Sequence, residues 1–323
     1  MPANLTPDYL AADKKFKTAT TSHDRLAALE EMLSTIPKHK GTEKMQADLK
    51  RRIAKLRDEL QRKKGAARGK PFYHVDKEGA GQVLLVGTPN AGKSMLLRAL
   101  SNAEPEVAEY PFTTRVPLPG MVKFENVQIQ LVDLPPITME FREGWLYGII
   151  RTGDAAVLVV DLASESLIEE SEGVLNLLAE EGIRLVRDPR GPNEKRTVVA
   201  ANKLDAPGAA DRLRLLREFI ADQLAVIPVS AAAGTGLDGL RQAMFDLLRV
   251  IRVYSKPPGK KVDREAPFIL KRGATVLDAA EAIHKEFVEK LKFARLWSGQ
   301  HYQGQMVGRD HVLQDGDIIE IHA

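Results

Sequence analysis

The chain has 323 residues, of which 44% are hydrophobic and 28% charged, with a formal net charge of +3. It contains no cysteine, which excludes a disulfide framework and a thiolate metal site, and its seven histidines are scattered without ligand spacing. No apolar run approaches the roughly 20 residues of a membrane span, and the N-terminus lacks the apolar core of a signal peptide, so a cytoplasmic protein without a membrane segment is expected.

The charge is unevenly placed. Residues 1–72 carry a net +8, residues 73–250 a net −7 and residues 251–323 a net +2. Basic ends flanking an acidic centre point those ends toward a polyanion. In the first segment, Leu26, Leu29, Leu33 and Ile36 recur at helical spacing, and Met45, Leu49, Ile53, Leu56 and Leu60 repeat the pattern. Residues 37–41 break the two runs, and Thr42 is placed to cap the second. The pattern predicts a helical hairpin or short coiled coil. Its second helix presents Lys50, Arg51, Arg52, Lys55 and Arg57, then Arg62, Lys63 and Lys64, either as a solvated face or as a phosphate-binding face for ribosomal RNA. Residues 63–70 have linker composition.

From residue 81, strand-like and helix-like stretches alternate: strands over 83–86, 121–124, 127–132, 155–161 and 197–201, helices from 95, over 167–181, 210–223 and 237–248. Such alternation predicts a mainly parallel sheet covered on both faces, with ligands at the carboxyl ends of its strands. The first strand runs into GTPNAGKS, residues 87–94. This pattern, with a helix behind it, wraps backbone N–H groups around phosphates; Lys93 would neutralise them and the Ser94 hydroxyl would ligate Mg²⁺. The cradle comprises Gly87, Thr88, Pro89, Asn90, Ala91, Gly92, Lys93, Ser94 and Met95.

The strand over 197–201 ends in Asn202, Lys203, Leu204 and Asp205. A carboxylate at Asp205 accepts both donors of the guanine edge; adenine offers no such pair, and a carboxylate expected to be buried and dry there rejects it by being left unpaired. Asn202 is expected to fix the loop and the N7 edge, with the Lys203 stem along the base. Ser230 and Ala231, after the next strand, would supply a backbone donor to guanine O6. Between these elements, Thr113 and Thr114 sit in YPFTT, with Thr114 the expected hydroxyl ligand of Mg²⁺; Asp133, in LVDLPP, would hold the ion's hydration shell. Residues 187–196 read as an exposed loop. Beyond 250, short strands over 251–254, 268–270, 294–297 and 318–321 surround one amphipathic helix over 276–290, which reads as a β-grasp module. Trp297, His301 and Tyr302 are candidates for stacking on RNA bases, with core packing the alternative for Trp297.

PNAGKS, YPFTT, DLPP followed by Ile137, and NKLD together resemble the Obg-like translation-factor GTPases, most of all their developmentally regulated GTP-binding branch. Residues 251–323 resemble the TGS domain that ends those proteins, and residues 38–60 their N-terminal helical region. The resemblance implies a phosphate-loop GTPase domain (73–250) preceded by a helical hairpin and linker (1–72) and followed by a ubiquitin-like TGS β-grasp domain (251–323). It implies GTP and GDP as ligands, Mg²⁺ as cofactor, slow hydrolysis, docking on the ribosome or its RNA, and a regulatory protein partner. It gives no reason to expect sequence-specific DNA binding.

Two departures stand out. The family motif D-x-x-G, whose glycine N–H donates to the γ-phosphate, carries Pro136 here, which has no N–H. That loss is worth about 1.5–3 kcal/mol in telling GTP from GDP, unless a neighbouring amide such as that of Ile137 substitutes. Ile137 stands where many GTPases place a water-orienting glutamine, a position at which members of the resembled group also carry an apolar residue. Asn90 occupies the position that helps hold K⁺ in potassium-activated GTPases; the alternative is a residue chosen for a tight turn. The expected catalytic set is therefore Asn90, Lys93 and Thr114, and the rival reading is an adaptor that binds guanine nucleotides without hydrolysing them.

Overall fold

The computed structural model describes residues 9, 12, 14–16, 22–36, 42, 45–46, 49–53, 73–101, 116–221, 223–259, 261–298 and 302–322. The chain divides into two compact units, Met1–Pro71 and Phe72–Ala323. In the first, helix α1 (Ser22–Thr35) buries Leu29 and Met32, which together with Ile36 join Leu49 and Ile53 of the second helical stretch. Tyr9 and Ala12 complete that core from a segment for which the sequence reading made no provision. The Thr42 carbonyl accepts from Gln46 N–H at 2.9 Å, at the head of the second stretch. Lys50, Arg51 and Arg52 are exposed. Lys55, Arg57, Arg62 and the linker over 63–70 lie outside the described residues.

The second unit holds two sheets. The larger has seven strands in the order β2 (Leu118–Phe124), β3 (Val127–Asp133), β1 (Gln82–Gly87), β4 (Ala155–Asp161), β6 (Glu194–Asn202), β5 (Arg184–Val186), and β7 (Ala225–Pro228) also pairs with β6. Only β2 and β3 pair antiparallel; every other pairing in this sheet is parallel. The central strands are buried on both faces, which is why β1 and β4 read as unbroken apolar runs rather than alternating ones. Helices α2 (Lys93–Leu100) and α6 (Leu237–Leu248) cover one face; α3 (Gly144–Thr152), α4 (Leu167–Glu180) and α5 (Ala209–Ile220) cover the other. α3 was not foreseen. The expected exposed loop over 187–196 is shorter than that: β6 begins at Glu194, and Lys195 is buried with its ammonium on the carbonyls of Arg151, at 2.9 Å, and Gly153.

The smaller sheet has five strands in the order β11 (Tyr302–Val307), β10 (Phe293–Ser298), β12 (Asp317–His322), β8 (Val250–Ser255), β9 (Phe268–Lys271), with β8 and β12 parallel. The single helix expected over 276–290 is two, α7 (Val276–Ile283) and α8 (Lys285–Lys290). His284 between them is extended (φ −165°, ψ 132°), and its ring accepts from Glu286 N–H at 3.3 Å, so the break caps the second helix and lets Phe287 join the core. Trp297 is half-buried on the sheet face away from that core. Lys256 Nζ sits 4.3 Å from its ring centroid, and a Cβ at Gly304 would lie 2.9 Å from the indole. Packing against its own sheet thus accounts for Trp297; His301 and the side chain of Tyr302 lie outside the described residues.

Candidate functional site

β1 delivers the phosphate loop to the carboxyl edge of the sheet, and the loop's backbone explains its residue types. Gly87 (φ 153°) and Gly92 (φ 91°) hold conformations that side chains rarely adopt, and a Cβ would meet Val159 O at 2.5 Å in the first case and Asn202 Nδ2 at 2.3 Å in the second. Asn90 (φ 60°) is exposed in the left-handed region, which asparagine tolerates better than most residues. The loop closes at the N-terminus of α2, whose first residue is Lys93.

Lys93 is 7% exposed, and its ammonium donates to the carbonyls of Thr88 at 2.8 Å and Gly87 at 3.2 Å. Burial pushes its pKa down to about 8 against the opposing pull of Asp133. Ser94 Oγ donates to Asp133 Oδ2 at 2.5 Å, so the second residue of α2 and the end of β3 converge although 39 positions separate them. A hydroxyl and a buried carboxylate side by side make the hard oxygen donor set that Mg²⁺ selects, and this pair fits the ion.

The base-reading elements form the other end. Asn202, 1% exposed, donates from Nδ2 to Ala91 O at 2.9 Å and accepts at Oδ1 from Ala231 N–H at 3.1 Å. Its amide thus ties the phosphate loop to the loop after β7, as the expectation that Asn202 fixes the loop requires. Asp205 is exposed, and its Oδ1 accepts from Ser230 Oγ at 2.5 Å; that hydrogen bond above all holds its carboxyl below the usual range. Lys203 (φ 64°) sends its ammonium to Asp161 Oδ2 at 2.5 Å, and Asp161 Oδ1 accepts from Ala163 N–H at 2.7 Å. Asp161 escaped the sequence reading; its signal was an acidic residue ending the apolar run AAVLVVD, at the same edge of the sheet.

Beyond Asp133 the chain stays close to the loop. Leu134 and Pro135 are buried, Pro136 is half-buried, and Ile137 is 2% exposed with its N–H donating to Gly87 O at 3.1 Å. The substitute amide considered for Pro136 is therefore already engaged. Thr113 and Thr114 lie outside the described residues, so Lys93, Ser94, Asp133, Asn202, Lys203, Asp205, Ser230 and Ala231 make up the observed constellation.

A family model described as "50S ribosome-binding GTPase" matches residues 82–203, and one described as "TGS domain" matches residues 251–323. An uncharacterised GTP-binding protein of Methanocaldococcus jannaschii is 32% identical over 92% of both chains. The developmentally-regulated GTP-binding protein 1 of Xenopus laevis is 30% identical over 92% of this chain and 98% of its own length. The chain belongs to the developmentally regulated GTP-binding proteins. A further relative, the ribosome-interacting GTPase 1 of Saccharomyces cerevisiae, is 28% identical over 94% of this chain and 99% of its own. The YchF GTPase structure of Schizosaccharomyces pombe superposes with a TM-score of 0.56 at 13% identity, covering 77% of this chain and all of that one. That likeness shows the fold: an α/β phosphate-loop GTPase domain with a β-grasp TGS domain. Among the described residues, no helix is long and apolar enough to cross a membrane.

Pro136, which has no N–H, is flanked by two buried residues, Pro135 and Ile137.

Proposed function

We propose that this protein is a Mg²⁺-dependent GTPase of low intrinsic rate that docks on the ribosome or its RNA in the cytoplasm. The nucleotide reading is carried by Asn202, whose buried amide joins the phosphate loop to the base loop and so makes one pocket of them. Lys93 grips the β- and γ-phosphates, Asp205 takes the two guanine N–H donors, and Ser94, Asp133 and Thr114 hold the metal ion. Bound there, Mg²⁺ neutralises the charge that develops on the transferred phosphoryl group. Asn90 lies exposed at the loop's turn, where its side chain is free to help retain K⁺, an ion that would act on the same charge. Phosphate release over many turnovers, compared in K⁺ and Na⁺ buffers, tests this. Slow release that K⁺ accelerates is the expected outcome.

One observation favours the adaptor reading: Pro136 has no N–H, and the Ile137 N–H is spent on Gly87 O. No release in either buffer, with GTP still bound, would select it.

We assign residues 1–72 to a helical docking region, 73–250 to the nucleotide domain and 251–323 to the TGS domain. The docking proposal draws on the basic ends of the chain and on the yeast relative's name. A regulatory protein partner, acting where intrinsic turnover is slow, completes the proposal. Reversing the charges of exposed Lys50, Arg51 and Arg52 should weaken co-sedimentation with ribosomes, most visibly at low salt. Unchanged co-sedimentation would remove the helical region from the docking surface.

A further inference from the structure

The nucleotide reading leaves without a role the seam between the two sheets of Phe72–Ala323. There the β2–β3 turn, Glu125 and Asn126, meets strand β8. The Arg252 guanidinium donates from Nη1 to Glu125, from Nη2 to Asp315 Oδ2 at 2.7 Å and from Nε to Asp315 Oδ1 at 3.1 Å. Asn126 Nδ2 donates to Tyr254 Oη at 2.8 Å and to Arg264 O at 2.9 Å. Behind them Phe124 of β2 stacks on Phe245 at 5.0 Å between centroids, and the guanidinium lies 5.1 Å from the Phe245 centroid. The Arg252 side chain is 14% exposed, and the hydrogen bonds to Asp315 first, then to Glu125, hold its pKa well above the ordinary arginine value.

This turn is the far end of a strand pair whose near ends lie at the nucleotide site. The chain enters β2 at Leu118, four residues after Thr114, and leaves β3 at Asp133, which Ser94 holds. Among the described residues, β2 is the edge of its sheet, bonded to β3 alone. A cavity of about 380 Å³, lined by Pro117, Pro119, Gly120 and Met121 on one side and His74 and Asp76 on the other, flanks its first half. The other route out of the site is tied down: Ile137 N–H is held by Gly87 O and its side chain is buried. A response to the γ-phosphate that enters at Leu118 would run along β2, and β2 leads into the turn that a TGS-domain arginine grips.

We propose that Arg252 is a positioning residue that relays the nucleotide state to the TGS sheet by gripping the β2–β3 turn, and that the docked TGS sheet in return sets the preference between GTP and GDP. The inference rests on the guanine-nucleotide reading above. Reciprocity is required, since a free-energy coupling between two sites acts equally in both directions.

The test measures dissociation constants for fluorescent GDP and for a fluorescent non-hydrolysable GTP analogue on the full chain. Glu125→Ala combined with Asn126→Ala removes the turn's side of the grip and leaves the Arg252–Asp315 pair intact, so the TGS sheet keeps its internal contacts. Arg252→Lys keeps the charge and loses the fork that spans two carboxylates. The ratio of the two constants should change by about fivefold or more in the double variant, and by less in Arg252→Lys. A residue that only glues the sheets together would leave the ratio unmoved, even if both constants shifted, and that result overturns the relay. Wild-type protein that binds neither nucleotide would instead overturn the guanine-nucleotide reading itself.

Discussion

Around Asp205, buried or short hydrogen bonds run from loop to loop. Ser230 sets the carboxylate, Asn202 ties the base loop to the phosphate loop, and Asp161 holds Lys203. Around Pro136, the backbone is equally fixed but points its hydrogen-bonding capacity the wrong way, with Ile137 N–H turned onto Gly87 O. On the proposed reading, one end is pre-organised toward the guanine edge, and at the other the DLPP segment adds no backbone donor to those of the phosphate loop and Lys93. Pre-organisation lowers the cost of binding only where the fixed groups match the ligand. The contrast teaches that base identity should be read strongly here and the third phosphate weakly.

Four changes would break or sharpen that contrast. Lys93→Ala should cost most, because it removes the charge that both GDP and GTP need: about a hundredfold or more in affinity for each, measured with fluorescent nucleotides. Equal binding by this variant would mean that the phosphates lie elsewhere. Asp205→Asn turns an amide N–H toward the guanine donors and should weaken GTP by about ten- to a hundredfold, with much less effect on xanthosine triphosphate, whose edge offers an acceptor. If the variant still prefers guanine, Asp205 does not read the base.

Pro136→Gly acts on the other end. It restores an N–H and should raise the preference for GTP over GDP by about tenfold or more. A ratio identical to wild type would show that the Ile137–Gly87 tie keeps the new amide away from the phosphate.

The smallest effect is the pH dependence of Lys93. Its pKa of about 8 in the free folded protein lies below the 10.5 of an exposed lysine. The unfolded chain therefore binds more protons between those values, and stability without nucleotide should rise as pH climbs through that window. Phosphate favours the charged amine, so binding above pH 8 must take up a proton. Affinity should then fall by up to about tenfold per pH unit. Calorimetry above pH 8 in buffers of different ionisation enthalpy would detect the uptake, and a heat that does not depend on the buffer would count against a charged Lys93 in the complex.

The sequence by itself determined whatever is contiguous. GTPNAGKS carries its glycines where the backbone demands them, NKLD follows a buried strand, and the doubly covered sheet follows from apolar strands alternating with amphipathic helices. Such patterns are legible because period and turn chemistry act over a few neighbouring residues.

Tertiary structure alone decided the contacts between distant positions. Asn202 bridges Ala91 and Ala231, Ser94 meets Asp133, and Arg252 grips Glu125. Tertiary structure also placed the break at His284, where the packing of Phe287 overrides a pattern that read as one helix. A side chain's type announces what it can bond, but the partner is chosen by which strand edges the fold brings side by side, and no local pattern encodes that.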